Sequence, residues 1–115
     1  MDKNICVIGS LNMDMVVKVE RRPRAGETIQ GSDYLSLPGG KGANQAVSVA
    51  ILGGKVTMVG RVGTDPFGNI LLENLRERGV DTSYVIRDDS APTGAAFITI
   101  DNSGENSIII SPGAN

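Results

Sequence analysis

The segment Gly39-Gly40-Lys41-Gly42-Ala43-Asn44-Gln45-Ala46 places three glycines just ahead of an apolar run with helical spacing. It therefore reads as a tight turn feeding a helix N-terminus, where backbone N–H groups without intrahelical acceptors can meet a polar ligand. It does not fit a Walker A loop, because Leu35 stands five positions before Gly40 and Lys41 is followed by Gly42, where Ser or Thr is required. No G-x-G-x-x-G fingerprint follows a strand-like segment either. A cation at the positive end of a helix costs about 0.3–1 kcal/mol, so Lys41 either reaches a ligand or turns its head out into solvent. Asn44, in the first turn, taken alone reads better as a surface polar residue than as a ligand contact.

Asn12 and Asp14 fall where a first strand ends and an alternating segment begins, at what would be the carboxyl edge of a parallel sheet. Open α/β folds bind their ligands at that edge. A carboxylate there accepts two hydroxyl hydrogen bonds at once, which is how a sugar is held in one orientation. The alternative is a loop Asp satisfying a nearby backbone N–H.

The elements that must carry these residues can be read from periodicity. Residues 5–9 (ICVIG) form a continuous apolar run that suits a central strand covered on both faces, with Cys6 as a small buried hydrophobe. Met15, Val17 and Val19 then alternate with Val16, Lys18 and Glu20, as expected of a strand with one face partly wet. Residues 21–26 are a charged turn, and residues 27–37 read as extended chain until Pro38-Gly39-Gly40 breaks it. Ala43, Ala46, Val47, Ala50 and Ile51 have helical spacing, and Gly53-Gly54 ends that helix. Residues 55–60 (KVTMVG) and 81–87 (DTSYVIR) are further strands. Between them lies a helix capped by Asp65, opened by Pro66, striped by Phe67, Ile70, Leu71 and Leu75, matched at its negative end by Arg76 and Arg78, and closed by Gly79. Residues 93–101 and 107–110 form a hairpin, and residues 111–115 read as the entry to another element. The strand–helix alternation argues an α/β layer fold.

Composition narrows the function. The chain has 115 residues, 40% apolar and 21% charged, as expected for a globular protein with one core. A net charge of −2 and 3% aromatic residues supply neither the basic surface nor the stacking platforms of a nucleic-acid binder. With no His and one Cys, a His-dependent triad and a Cys/His zinc site are excluded. The N-terminus MDKNICVIG shows no leader pattern and no apolar stretch reaches membrane-span length, so a cytoplasmic location is expected.

Asn12-Met13-Asp14, the stretch from Gly39 to Ala46, and the spacing onward to Gly53 and Gly63 resemble the N-terminal signature of the ribokinase-like carbohydrate kinase family. The resemblance extends through Arg24-Ala25-Gly26-Glu27-Thr28, Gly63-Thr64-Asp65-Pro66-Phe67-Gly68, Thr93-Gly94 and Gly113-Ala114-Asn115. It implies that residues 1–115 are the sugar-binding, N-terminal portion of a parallel-sheet, Rossmann-like α/β domain, with a small β-lid built from residues near 15–37 and 93–110. It implies a kinase that transfers the γ-phosphoryl group of ATP, with Mg2+ and K+, to the 5-hydroxyl of D-ribose, and a homodimer formed through the lid. Asn12, Met13, Asp14, Gly40, Lys41, Gly42, Ala43 and Asn44 would surround the sugar, with Ala96 and Ile110 as apolar walls. Members of the family run to about twice this length or more, and their later part supplies a Gly-Ala-Gly-Asp motif whose Asp takes the proton from the sugar hydroxyl. No such motif occurs here, so no catalytic, nucleotide-binding or metal-binding residue is expected in this chain and no turnover from it alone. Two alternatives stand beside this reading: a sugar-binding or dimerising half-domain without chemistry, and a kinase for another sugar or a nucleoside.

Overall fold

The computed structural model describes residues 3–115; Met1 and Asp2, which open the segment read as leaderless, lie outside the described residues. The elements run β1 (Asn4–Ile8), β2 (Asn12–Lys18), β3 (Leu35–Gly39), α1 (Lys41–Ile51), β4 (Lys55–Gly63), α2 (Pro66–Glu77), β5 (Asp81–Asp88), β6 (Gly94–Ile100) and β7 (Asn106–Ser111). They make two sheets. β1, β4 and β5 form a parallel sheet in the order β1-β4-β5. The second sheet has the order β3-β2-β6-β7, with β2 parallel to β6 and the outer pairs antiparallel. α1 packs on β1 and β4, α2 chiefly on β5, and the core between them holds Leu11, Met13, Ala46, Met58, Val62, Leu71 and Leu75. The fold is α/β, as the strand–helix alternation requires. No helix among the described residues is long and apolar enough to cross a membrane.

Local signals are obeyed closely. Asp65 caps α2, its Oδ1 accepting from the Gly68 N–H at 2.9 Å, and Pro66 occupies the first helical position. Gly79 closes the helix at φ 87°, a conformation that penalises any side chain. The buried stripe of α2 is corrected: it is Gly68, Leu71, Leu72 and Leu75, an i, i+3, i+4, i+7 series, and Ile70 lies a full 100° step away from Leu71 and is 47% exposed.

Two other expectations change. β1 is an edge strand and β4 is central; Ile5 and Ile8 are 47% and 80% exposed, and Cys6 is exposed, not buried. An apolar run declares that a strand is built to be covered; within these residues the helices cover one face of the parallel sheet only. Pro38 and Gly39 do not break the chain but lie inside β3, paired with Met13 and Asn12. β3 is an edge strand, where a proline forfeits no ladder hydrogen bond on its free side. Residues 112–115 follow β7 as a turn and irregular chain. They fold back, with the Ala114 N–H donating to the Pro92 carbonyl at 2.8 Å.

Candidate functional site

The site is assembled where β1, β2 and α1 meet. Gly9 and Gly42 bring the end of β1 against the helix: a Cβ on Gly42 would stand 2.7 Å from the Gly9 Cα, closer than side-chain carbons approach. The contact is secured by the Ala43 N–H, which donates to the Ser10 carbonyl at 3.1 Å. Gly40 takes the N-cap position at φ 98°, with no capping side chain and no acidic residue in the first turn. The Lys41 and Gly42 amides find no protein acceptor among the described residues. The positive end of α1 is thus left to be neutralised by something outside the helix.

Beside it lies an open cavity of about 460 Å³ lined by Asn12 and Asp14 from β2, Gly40, Lys41 and Asn44 from the turn and helix, and Ala96, Ile98, Ile108 and Ile110 from the β6–β7 hairpin. Register explains this grouping. Asp14 pairs with Ala96, and Ala96 with Ile110, so the three stand in one row across the sheet. Asn12, two residues before Asp14, shares its face because side chains alternate along a strand.

β2 begins at Asn12, earlier than its alternation suggested, and this sends Met13 the other way, into the core at 1% exposure. Gly42 and Ala43 are buried as well. None of these three lines the cavity, whereas Asn12, Asp14, Gly40, Lys41, Asn44, Ala96 and Ile110 all do.

The cavity brings together charged and polar side chains of both signs. Burial pushes the Asp14 carboxyl above its ordinary value, and among the described residues neither Asp14 nor Lys41 has an ion-pair partner. Gly39 lies so near that a Cβ there would collide with the Asp14 carboxylate. A half-desolvated carboxylate with no protein donor is costly unless a ligand supplies hydroxyls.

Sequence reasoning assigned no role to Asn115, which lines the same cavity. Its side-chain Oδ1 accepts from the Leu11 N–H at 2.9 Å, and its Nδ2 donates to the Leu11 carbonyl at 3.0 Å and to the Asn12 Oδ1 at 2.8 Å. Gly113-Ala114-Asn115 was noted only as part of a resemblance, and no periodicity reveals a contact across 104 positions. A second clamp sets the start of β6. The Asp65 carboxylate accepts from the Thr93 N–H at 2.9 Å and the Thr93 hydroxyl at 2.5 Å, and that hydroxyl accepts from the Gly63 N–H at 2.9 Å. Desolvation pushes Asp65 up, but these donors and the Gly68 amide outweigh it and leave its pKa lowered. Among the described residues no three His, Cys, Asp or Glu side chains converge to hold a metal ion.

The geometry has close counterparts in known proteins. The ribokinase of Bacillus subtilis is 50% identical over 113 residues, covering 98% of this chain and 38% of that protein. The mouse ribokinase is 43% identical, covering 96% of this chain and 34% of its own length. The chain thus spans little more than a third of these relatives. The structure of Arabidopsis thaliana ribokinase complexed with ribose and ATP superimposes with a TM-score of 0.91 at 43% identity, covering all of this chain and 38% of that one. A fructokinase from Xylella fastidiosa follows at a TM-score of 0.77 and 35% identity, covering 96% of this chain and 32% of that one. The family model for pfkB family carbohydrate kinases matches residues 2–115, and the chain belongs to that family.

Proposed function

We propose that this chain is the sugar-binding part of a ribokinase, an enzyme that transfers the γ-phosphoryl group of ATP to the 5-hydroxyl of D-ribose. The observation that carries the reading is the cavity lined together by Asp14 and Lys41, neither of them ion-paired among the described residues, and by Asn12 and Asn44, at the uncapped end of α1. Asp14 accepts ribose hydroxyls, Asn12 and Asn44 supply amide donors and acceptors, and Lys41 donates to a sugar oxygen. Ala96 and Ile110 lie against the apolar face of the ring. Met13, Gly42 and Ala43 act from behind, holding β2 and the helix in place.

In this reading the sheet formed by β2, β3, β6 and β7 is a lid over the sugar. Its outer face also pairs with a second copy, because Tyr34, Phe97 and Ile109 are exposed around a shallow apolar cavity of about 230 Å³. No step is assigned to Mg2+ or K+ on this chain, where no three His, Cys, Asp or Glu side chains converge among the described residues. The setting is the cytoplasm, where ATP is available.

The test is a coupled assay of ADP release by the full-length gene product, offered D-ribose, D-fructose and a nucleoside in turn. Preference for ribose by a large factor in kcat/KM is expected; preference for fructose or the nucleoside replaces the substrate, and release with none of them removes the kinase reading.

A further inference from the structure

Asn115 meets the Asn12 side chain on the wall of the same cavity, and its own orientation is settled by the backbone. The Leu11 N–H can only donate and the Leu11 carbonyl only accept, so the atom 2.9 Å from the former is the Asn115 Oδ1 and the atom 3.0 Å from the latter is its Nδ2. That Nδ2 also lies 3.1 Å from the Pro112 carbonyl and 2.8 Å from the Asn12 side chain. Its two N–H groups are shared among three acceptors, and an Asn12 NH2 at 2.8 Å would set donor against donor, so Asn12 turns its Oδ1 toward Asn115. Its NH2 end is left without a protein acceptor among the described residues, on a side chain that lines the cavity. Gly94, the register partner of Asn12, leaves room for the pair: a Cβ there would collide with both amides.

We propose that Asn115 is a positioning residue that fixes the Asn12 amide with its N–H toward the ligand, so that the cavity offers one obligate donor, Asn12, two residues from one obligate acceptor, Asp14. This rests on the sugar-site reading above and deepens it. A donor beside an acceptor on one strand face selects two neighbouring hydroxyls, one accepting from Asn12 while the other donates to Asp14. With the Asn12 amide reversed, the face would present acceptors only, and the hydroxyl opposite Asn12 would lose its donor.

The test uses the full-length protein and D-ribose binding measured by calorimetry without nucleotide, so that it does not depend on phosphoryl transfer. Asn115→Asp keeps an acceptor for the Leu11 N–H but can donate to nothing, and its second oxygen draws the Asn12 N–H away from the cavity. Ribose affinity should fall by about tenfold or more. In an Asn12→Ala background the same change should cost less than about twofold, because nothing remains to be oriented. Asn12→Asp, which leaves Asn115 intact, should reproduce the loss and keeps the question answerable if Asn115→Asp does not fold. Unchanged affinity in Asn115→Asp or Asn12→Asp, or an equal loss with and without Asn12, overturns the positioning role while leaving a ribose kinase in place. A protein that binds ribose but does not phosphorylate it removes the kinase reading and leaves this measurement intact.

Discussion

The Asp65 carboxylate grips Thr93 at two points, its backbone N–H at 2.9 Å and its hydroxyl at 2.5 Å, while the same carboxylate caps α2 through Gly68. One side chain thereby ties the end of β4, the start of α2 and the start of β6, and β6 carries the Ala96 wall of the cavity. Asp65→Ala should destabilise the protein by about 1–3 kcal/mol through the lost cap and the orphaned Thr93 donors. The Asp65 pKa is lowered on folding, so its contribution is complete above the unfolded-state pKa and is lost as pH falls through the folded one. Urea unfolding from neutral pH down through the carboxylate range should show the wild type losing stability toward acid faster than Asp65→Ala. Parallel curves would remove Asp65 as the source.

For Asp14 the sign is the opposite. Its pKa is raised by burial, so its ionised form opposes folding, and the stability present at low pH is lost as pH rises through the folded pKa. Asp14→Asn should therefore melt slightly higher than wild type at pH 7. In the full-length enzyme Asp14→Ala should raise the ribose KM by about tenfold to a hundredfold, the worth of one charged hydrogen bond of about 1.5–3 kcal/mol, with the ATP KM nearly unchanged. Steady-state kinetics with each substrate varied in turn decides it, and an unaltered ribose KM takes Asp14 out of the site.

Lys41→Met separates two roles of one cation. Removing positive charge from the uncapped start of α1 should stabilise the helix by about 0.3–1 kcal/mol. If Lys41 holds the sugar, ribose binding weakens at the same time; calorimetry and a melting curve on one preparation read both. A higher melting temperature with unchanged binding would make Lys41 a solvated surface residue.

The 115-residue chain by itself should associate and should not phosphorylate ribose. Ile8 is 80% exposed and Ile86 53% on the parallel sheet, and Ile109 72% and Phe97 51% on the other; apolar surface of this extent favours pairing with another chain. Among the described residues Asp14 is the one carboxylate lining the cavity, and in the proposed reading it holds hydroxyls, leaving no carboxylate there to take a proton. Sedimentation of the isolated chain with a coupled kinase assay checks both claims, and a monomer or measurable turnover contradicts them.

Features that act within a few residues were legible before any coordinates. Asp65-Pro66 and Gly79 bounded α2, the small residues of α1 announced close packing on a sheet, and the glycine turn at 39–42 marked a helix start. Caps, turns and periodicity are short-range physics, and each is carried by the residue that performs it. The resemblance extended that reach to Asn12, Asp14 and Lys41, which no local signal singles out from surface or loop residues. What remained hidden depends on partners distant along the chain. Cys6 looks buried in its own segment and is exposed because it alternates with the buried Val7 and faces the side of the parallel sheet that these helices leave uncovered. Pro38 looks like a break and is tolerated because β3 forms an edge. Met13 shares a tripeptide with Asn12 and Asp14 yet faces the core, because an early start to β2 sets the alternation. Asn115 finds Leu11 and Asn12 only after six strands and two helices have closed the path between them, since a hydrogen bond is read from the separation of its atoms in space and not along the chain.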